Sequence, residues 1–382
     1  QVLKAIVDSD SGKIDIINDD VKDIMISQTI ESAQNQQEGT GVQQDQDMTS
    51  IVSDIIVNSD TETGSKIIEE LNNSTGDKDN DLSLQVISGI SEKDTEKLNT
   101  LSENNKEQID TLTETAVKNA GSSQESADLI AQVVANASDD FANQIIGEVT
   151  KNSIDENQAL SAKVMKSIVE TTPDKVENLS DENKETMITQ TIEAAKNQAE
   201  GTSTDEIDLS NTVAEIVTKS DLITSTKVLE TLNEASENSE SKLSLSIFSN
   251  LTKQENYEEL IEINSVTSLR FEEGINKLSE NAVSNASSEE DLQKVEDVLE
   301  NSKGTVGDKI INSANNNEEN KKKIKEIIIK VVEKNPEKAV KIIERNKNTN
   351  TVLEVVKSKI ENNEAITTDD FEDVFDTNVS PN

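Results

Sequence analysis

An apolar signature, two adjacent apolar residues followed after two positions by a third, returns about every 80 residues along this chain. Its five copies are Val2-Leu3-Ile6, Val86-Ile87-Ile90, Val164-Met165-Ile168, Ile247-Phe248-Leu251 and Ile328-Ile329-Val332. A second series keeps the same phase: Val52-Ile55-Ile56, Ile130-Val133-Val134, Val213-Ile216-Val217 and Val295-Val298-Leu299. A period of this kind restricts the fold to similar units that bury their apolar faces on one another.

Two stretches at twice this period are closely similar in sequence. Met25–Glu31 (Met-Ile-Ser-Gln-Thr-Ile-Glu) aligns with Met187–Glu193 (Met-Ile-Thr-Gln-Thr-Ile-Glu), which lies 162 residues further along. The agreement includes Gln, Thr and Glu positions that a shared apolar core does not require. We therefore interpret 1–92 and 163–253 as near-duplicate blocks that arose by duplication of a two-unit segment.

The spacing inside each unit predicts helices. Ile26, Ile30 and Ala33 lie at i, i+4 and i+7, which places them on one face of an α-helix. Pro173 and Pro336 each follow a polar residue and precede an acid, a context that favours the first turn of a helix. The sequence contains no Asn-Gly or Asp-Gly hairpin turn. The chain is predicted to be all-α, with two helix pairs of about 40 residues in each unit.

Two pairs of residues have the spacing of a helix capping box. They are Ser122 with Glu125 and Ser287 with Glu290. In such a box the serine side chain and the acid three residues later bind each other's backbone amides. We predict that these two serines cap the helices that follow them.

Short helix pairs, in which an apolar pair runs into a turn with Ser or Pro and an acid, resemble HEAT and armadillo repeats. Examples are IIVNSD at 55–60, IVETTPD at 168–174 and VVEKNPE at 331–337. The pairs are also similar to the acidic helical domains of magnesium transporters and of the flagellar switch complex. The resemblance covers most of 1–360 and implies a helical-repeat α-solenoid, a superhelix of short helix pairs, over 1–365. It carries over no ligand-binding residue.

The charge of the chain is strongly negative, with 77 acidic and 36 basic residues and a net charge of −41. Only 32% of the residues are apolar, against about 45–50% in ordinary globular domains, and such a composition is typical of disorder. The repeated phase of the aliphatic pairs favours a folded array instead, because stacked helix pairs need only a thin core. The helical period is lost near the end, and 366–382 is predicted to be a flexible acidic tail.

Residue types that carry most enzyme chemistry are missing from the sequence. It contains no cysteine and no histidine, which excludes disulfides, thiolate or imidazole metal ligands, and nucleophiles or bases of either type. Gly39-Thr40-Gly41 and Gly304-Thr305-Val306-Gly307 lack the other residues of a phosphate-binding loop. No apolar run approaches the length of about 18 residues that a membrane span requires. We therefore predict a non-enzymatic protein that uses no cofactor.

Clustered acids raise the question of calcium. Asp77, Asp79 and Asp81 have the alternating spacing of an EF-hand loop. Leu82 stands where the turn glycine belongs, and Ser88 stands where the bidentate glutamate belongs. Low-affinity calcium binding, or nonspecific binding of divalent cations to the acidic surface, is therefore a remote alternative, and a solvated loop is the simpler interpretation.

The segment 321–347 is basic, with ten basic and four acidic residues. Its basic residues, the candidate interaction patch, are Lys321, Lys322, Lys323, Lys325, Lys330, Lys334, Lys338, Lys341, Arg345 and Lys347. The negative charge elsewhere would repel phosphate, and few aromatic residues are available for base stacking, so no nucleic-acid partner is predicted. The acidic tail carries Phe371 and Phe375, and we hypothesise that it docks on this patch. A solvated helix face and a free tail are the alternatives.

The favoured function is a non-enzymatic structural or protein-interaction scaffold, because a repeat is present and catalytic constellations are absent. In composition the chain resembles large, acidic, cysteine-free repetitive surface proteins of bacteria, and we expect it to be a piece of such a protein. The alternative is a soluble acidic adaptor that binds a basic protein partner, whose approach the negative surface would accelerate. An extracellular or cell-surface location is favoured over a cytoplasmic one.

Overall fold

The computed structural model of the chain is all-α, and no strand occurs among the residues that it describes. These residues are 2–9, 13–14, 16–40, 47–76, 81–153, 158–202, 207–236, 242–254, 266–286, 288–301, 318–334, 357–367 and 370. The prediction of an all-α protein is confirmed. The structure divides into two compact units, Gln1–Thr191 and Ile192–Asn382. The predicted boundary between an array ending at 365 and a tail stays a prediction, because 371–382 lie outside the described residues.

The described residues of each unit form mainly short helices, and one helix contains the boundary between the units. In the first unit these are α1 Val2–Ser9, α2 Asp19–Gln37, α3 Met48–Asn58, α4 Thr61–Thr75, α5 Leu82–Lys93, α6 Thr95–Asn104, α7 Lys106–Asn119, α8 Gln124–Asn136, α9 Asp139–Asn152, α10 Gln158–Thr171 and α11 Pro173–Glu177. The boundary lies within α12, Asp181–Ala199. The second unit contains α13 Leu209–Lys219, α14 Leu222–Ser236, α15 Leu243–Leu251, α16 Val266–Asn285, α17 Glu289–Asn301 and α18 Glu318–Lys334.

Helices of the first unit pack in two rows. In one row α1, α3, α5, α8 and α10 each contact the next member, and in the other α2, α4, α7 and α9 do the same. Consecutive helices join the rows, for example α2 with α3, α3 with α4, and α8 with α9. Each helix therefore packs on the helices that precede and follow it in its own row and on its partner in the other.

The second unit has the same kind of packing. One row consists of α13, α15, α17 and α18, and α14 packs on α16 in the other row. α14 also contacts α13 and α15, so the two rows are again joined by consecutive helices. The helices α12, α13 and α14 contain 19, 11 and 15 residues, the same lengths as α2, α3 and α4.

The turns after α2 and α12 are also alike. Gly39 and Gly201 follow these helices with φ of +66° and +73°, in the left-handed region that glycine enters without steric cost. Next to each turn, a glutamine side chain caps the following helix. Gln36 Oε1 accepts a hydrogen bond from the backbone amide at the start of α3 at 2.7 Å, and Gln198 Oε1 does so at α13 at 2.9 Å.

Most of the described residues of the apolar signatures lie in the core of their unit. Val86 and Ile90 of α5 and Val164 and Ile168 of α10 have no exposed surface. The stripe predicted on α2 is likewise buried, since Ile30 is 1% exposed and its neighbours on that face are similar. Removing such side chains from water supplies roughly 1.5–3 kcal/mol each, which explains how a thin core stabilises so polar a chain.

Helices α8 and α17 begin one residue later than the capping-box spacing predicts. Ser123 caps α8, and its hydroxyl accepts a hydrogen bond from the Ser126 amide at 3.0 Å. At α17, Ser288 Oγ accepts from the Asp291 amide, and the Asp291 carboxylate accepts from the Ser288 amide at 2.9 Å. The prediction that Ser122 and Ser287 cap these helices is wrong. The apolar face of each helix places Ser126 and Asp291 in the interior, and the capping serine lies three residues before each of them.

Helices α3 and α5 approach each other closely at Gly89. A methyl group added at Gly89 would lie 2.5 Å from Ser53 Oγ and 3.0 Å from Ser53 Cβ. Ser53 is fully buried, and its hydroxyl lies within hydrogen-bonding distance of the carbonyls of Thr49 and Val86. In the second block the corresponding residues are Ala214 and Asn250, so this close approach belongs to the first block.

Substitution Gly89→Ala is expected to destabilise the chain by about 1–3 kcal/mol, because overpacking outweighs the gain of roughly 1 kcal/mol that alanine gives a helix interior. Urea unfolding followed by circular dichroism measures the change. Adding Ser53→Ala should recover part of the loss, since it removes the crowded hydroxyl. The control is Gly147→Ala in α9, where the nearest atom would be Asn183 Oδ1 at 3.7 Å and the variant should gain stability. Equal effects at both glycines would contradict the packing argument.

Candidate functional site

The basic patch predicted from the sequence is only partly described. Lys321–Lys334 lie on α18, whose buried face carries Ile324, Ile327 and Val331. Among the lysines of α18, Lys322 is exposed and Lys323, Lys325 and Lys330 are half-buried. Outside the described residues lie the side chains of Lys321 and Lys334 and the whole of Lys338, Lys341, Arg345, Lys347, Phe371 and Phe375. The patch and its docking by the tail therefore stay predictions.

One described lysine of this patch already has internal partners. Lys323 Nζ lies 3.6 Å from the Glu319 carboxylate and donates a hydrogen bond to the Ser284 carbonyl at 3.2 Å. This second bond fastens α18 to the end of α16. Part of the predicted interaction patch therefore serves the packing of the second unit.

The beginning of the predicted tail carries an ion pair of its own. Lys359 Nζ lies 2.6 Å from one carboxylate oxygen of Asp370, and Asp370 also accepts a hydrogen bond from the Thr367 amide at 2.7 Å. Burial would raise the pKa of Asp370, but the hydrogen bond from Lys359 and those from Thr367 outweigh it and lower the pKa below its ordinary value. This tail acid thus binds a lysine outside 321–347.

A polar cleft of about 410 Å³ lies in the second unit. Its lining includes carboxylates, ammonium groups and amides from the end of α12, the start of α13, the end of α15 and from α17. These residues are Gln198, Asp208, Asn250, Lys253, Lys294 and Asp297. Asn250 Nδ2 donates to the Asp208 carboxylate at 3.3 Å. The cleft offers hydrogen-bond donors and acceptors of both charges, which suits a polar peptide or solute better than an apolar ligand.

A smaller cleft of about 260 Å³ lies between α2 and α4 of the first unit. Its lining contains the acids Asp23, Glu69 and Glu70 and one lysine, Lys66. Ser27 Oγ donates to Glu70 at 2.7 Å, which holds that carboxylate against α2. The excess of carboxylates suits a cationic side chain. Sequence reasoning did not find this site, because acids occur throughout the chain and only the packing of α2 on α4 brings these three together.

Asp54 joins three helices of the first row. Its carboxylate lies 2.7 Å from Lys4 Nζ of α1 and 2.7 Å from Lys93 Nζ of α5. Lys93 also donates to the Ser50 carbonyl at 3.1 Å. Burial would raise the pKa of Asp54, but hydrogen bonds and charge interactions with Lys4 and Lys93 outweigh it and lower the pKa. The group is a structural link, since all its described partners are lysines that span adjacent helices.

Substitution Asp54→Asn is expected to cost about 1 kcal/mol of unfolding free energy at pH 7. Because the folded-state pKa lies below the unfolded value of about 3.9, this stabilisation is present above that value and disappears as the pH falls through the folded-state pKa. Urea unfolding of wild type and variant at pH 7 and pH 3 measures the difference. Glu290→Gln, at a carboxylate that is 77% exposed, is the control and should change little at either pH. A pH-independent loss would contradict the ion-pair account.

Lysines at equivalent repeat positions cap the ends of first-row helices. Lys97 Nζ of α6 donates to the Ser59 carbonyl after α3 at 2.5 Å, and Lys175 Nζ of α11 donates to the Ala137 carbonyl after α8 at 2.8 Å. Both donors and both acceptors are 78 residues apart. Burial lowers the pKa of Lys97, against the opposing charges of Asp60 and Asp94. A cation at these carbonyls also complements the negative end of the helix dipole.

Asparagines at equivalent positions join neighbours in the second row. Asn72 Nδ2 of α4 donates to the Gln108 carbonyl of α7 at 2.9 Å, and Asn233 Nδ2 of α14 donates to the Gly274 carbonyl of α16 at 3.0 Å. In both cases a side-chain amide donates a hydrogen bond to a backbone carbonyl of the adjacent helix. Together with the lysine caps, they form a set of inter-helix links that recurs with the repeat.

Neither a metal-binding cluster nor a membrane-spanning helix occurs among the described residues. The described residues hold no group of three or more carboxylates positioned to bind a metal ion, and no helix among them is long and apolar enough to cross a bilayer. Two members of the EF-hand-like series, Asp77 and Asp79, lie outside the described residues, and Asp81 precedes α5 as its N-cap residue. Calcium binding at this loop therefore stays a prediction.

Comparison with known proteins adds no family. No protein-family model matches the chain, and the search of curated proteins finds no significant match. The likeness to HEAT and armadillo repeats therefore rests on the residue pattern, and the function must be argued from the packing and the clefts.

Proposed function

We propose that this chain is a non-enzymatic protein-interaction scaffold built as a helical-repeat solenoid. The observation that carries the proposal is the row packing, in which neighbouring helices are joined by the same side-chain links at equivalent positions. Lys97 and Lys175 cap the ends of α3 and α8 in one row of the first unit, and Asn72 and Asn233 join α4 to α7 and α14 to α16. Such links serve a continuous stack, because each unit stabilises the next.

The residue inventory supports a role without catalysis. The sequence has neither histidine nor cysteine, and the lysines and carboxylates with the clearest partners are engaged in joining helices. A surface with a net charge of −41 keeps the chain soluble and repels like-charged neighbours. A place at the bacterial cell surface, within a longer repetitive protein, belongs to the same proposal.

Small-angle X-ray scattering tests the architecture. A compact domain of this length would have a radius of gyration of about 21 Å. A solenoid of the whole chain should give a clearly larger value and an asymmetric pair-distance distribution. The control is a variant that lacks 371–382, because the predicted tail could itself increase the radius. A symmetric distribution with a radius near that of a compact domain would contradict the solenoid.

The second candidate is an adaptor that binds a basic protein segment, and the acidic cleft between α2 and α4 favours it. An arginine-rich peptide should bind the full chain with an affinity that falls steeply as salt rises. Neutralising the cleft with Asp23→Asn and Glu69→Gln should weaken binding more than the matched changes Glu185→Gln and Glu230→Gln in the second block. Equal losses would assign the binding to the general negative field, and no binding at low salt would refute the adaptor.

A further inference from the structure

Helix α1 carries apolar residues that are in contact with water. Val2 is 69% exposed, whereas Val164, at the equivalent position of α10, has no exposed surface. Ile6 is half-buried where Ile168 is fully buried. The difference arises because α10 packs on α8, α9 and α11, while α1 packs on α3 and α2. The two helices share one sequence pattern, but different numbers of neighbouring helices pack on them.

The adjoining face of α2 shows the same contrast. Gln28 is exposed, whereas the equivalent Gln190 of α12 is 5% exposed and donates to the Thr150 carbonyl of α9 at 2.8 Å. Met25 is half-buried, whereas Met187 has no exposed surface. In the second block this face is therefore covered by α9, the second helix of the pair that also covers α10.

Large exposed apolar residues concentrate at this end of the first unit. Among the described residues six large apolar side chains are exposed, and four of them, Val2, Ile16, Val21 and Ile24, lie on α1, on α2 or between them. Exposed apolar groups that cluster in this way mark interaction surfaces in soluble proteins. We define these four residues, with Ile6, Met25 and Gln28, as the α1–α2 face.

We infer that the α1–α2 face is a docking surface for a helix pair of this same repeat type. The occupant is identified by the second block, where α8 covers the face equivalent to that of α1 and α9 covers the face equivalent to that of α2. Its first helix should carry apolar residues at the spacing of Ile130, Val133 and Val134 in α8, and these residues should pack against Val2 and Ile6. Its second helix should offer a backbone carbonyl to Gln28, as Thr150 of α9 does to Gln190.

The face also specifies how the occupant differs from α8–α9. Asn143 of α9 accepts a hydrogen bond from the Ser180 amide at 2.6 Å, and its carbonyl accepts one from Asn183 Nδ2 at 2.8 Å. Val21 replaces Asn183 in the first block, so the bonds from Asn183 Nδ2 to the Asn143 carbonyl and, at 3.2 Å, to Asn143 Oδ1 have no counterpart there. Ile16 replaces Asn178, whose backbone carbonyl accepts a bond from Asn143 Nδ2. An amide at this position would keep only backbone partners and would face two aliphatic side chains, so the occupant should carry an aliphatic residue at the position of Asn143.

The inference rests on the proposed scaffold function, because it assumes that helix pairs of this type stack on one another. Grafting a helix pair onto the full chain tests it. Residues 120–163, which contain α8 and α9, are placed before Val2 so that they replace Gln1 and meet α1 as they meet α10. The chain has no cysteine, so Gln28→Cys provides a site for maleimide labelling. With the graft, the labelling rate should fall at least tenfold, and a further fall is expected when the grafted copy of Asn143 is leucine.

Ile223→Cys, at a residue that is 71% exposed on α14, is the matched control and should label at the same rate with and without the graft. Unchanged labelling of Gln28→Cys in both grafted chains, with the circular dichroism of α-helix retained, would overturn the inference. Slower labelling of the chain without the graft as its concentration rises would also overturn it, since the occupant would then be a second copy of the chain. Scattering from the chain without the graft tests the solenoid separately, so the two proposals can fail independently.

Discussion

Replacing Ile168 with aspartate is expected to destabilise the first unit by several kcal/mol. Ile168 is fully buried on α10, the helix that packs against α8 in the first row. An uncompensated charge in such a place costs about 3–5 kcal/mol, and the lost burial of the isoleucine adds to that. Urea unfolding monitored by circular dichroism should show an earlier transition for part or all of the helical signal, because α10 supports the helices that pack on it.

Two controls separate burial from chemistry in this experiment. Ile223→Asp makes the same change at a residue that is 71% exposed, and the unfolding free energy should change by about 0.5 kcal/mol or less. Ile168→Val removes one methylene group at the same site and should cost about 0.5–1.5 kcal/mol. A chain that tolerates Ile168→Asp as well as Ile223→Asp would refute the assignment of the apolar signature to the core.

Replacing Lys242 with methionine is the second change expected to have a large effect. Lys242 Nζ lies 3.0 Å from the Asp291 carboxylate, and the Asp291 side chain has no exposed surface. Removing one partner of a fully buried pair costs about 3–5 kcal/mol, and we expect about 2–3 kcal/mol here because the Lys242 side chain is 43% exposed. The measurement is the free energy of urea unfolding at pH 7.

The sign of the coupling energy in a double-mutant cycle tests whether the buried charge of Asp291 causes this loss of stability. Asp291→Asn keeps an acceptor for the Ser288 amide and removes the buried charge. The double variant Lys242→Met with Asp291→Asn should therefore be more stable than Lys242→Met alone. Exact additivity of the two changes, or a double variant less stable than either single one, would show that the buried charge is not the reason for the loss. Asp81 and Ser126 stand at the corresponding positions earlier in the chain, so this ion pair is not repeated there.

Helix type and apolar phase could be predicted because they depend on residues close together in sequence. The i, i+4, i+7 spacing of Ile26, Ile30 and Ala33 predicts one helical face, and all three residues are buried in α2. Pro173 occupies the first position of α11, as its missing amide suggests. The capping serines were predicted one residue too early, because only the packed structure shows which of two adjacent serines precedes the inward-facing residue.

The candidate site residues could not be ranked from the sequence for a physical reason. Clefts and ion pairs join groups that are far apart along the chain, such as Asp54 with Lys4 and Lys93, or Asp23 with Glu69. A composition rich in acids hides the few carboxylates that packing brings together. The basic segment was conspicuous in sequence, yet one of its described lysines, Lys323, binds Glu319 and Ser284 inside the same unit.

The sequence by itself determined the helical class, the period and the residues of the core, because hydrophobic burial and helix geometry act through local spacing. Tertiary structure alone decided which copies of a shared pattern are covered. Val164 and Val2 stand in the same signature, yet the first is buried under α8 and the second is 69% exposed. The exposure of a side chain depends on neighbours that come from elsewhere in the chain. The α1–α2 face could therefore be identified only from the packed helices.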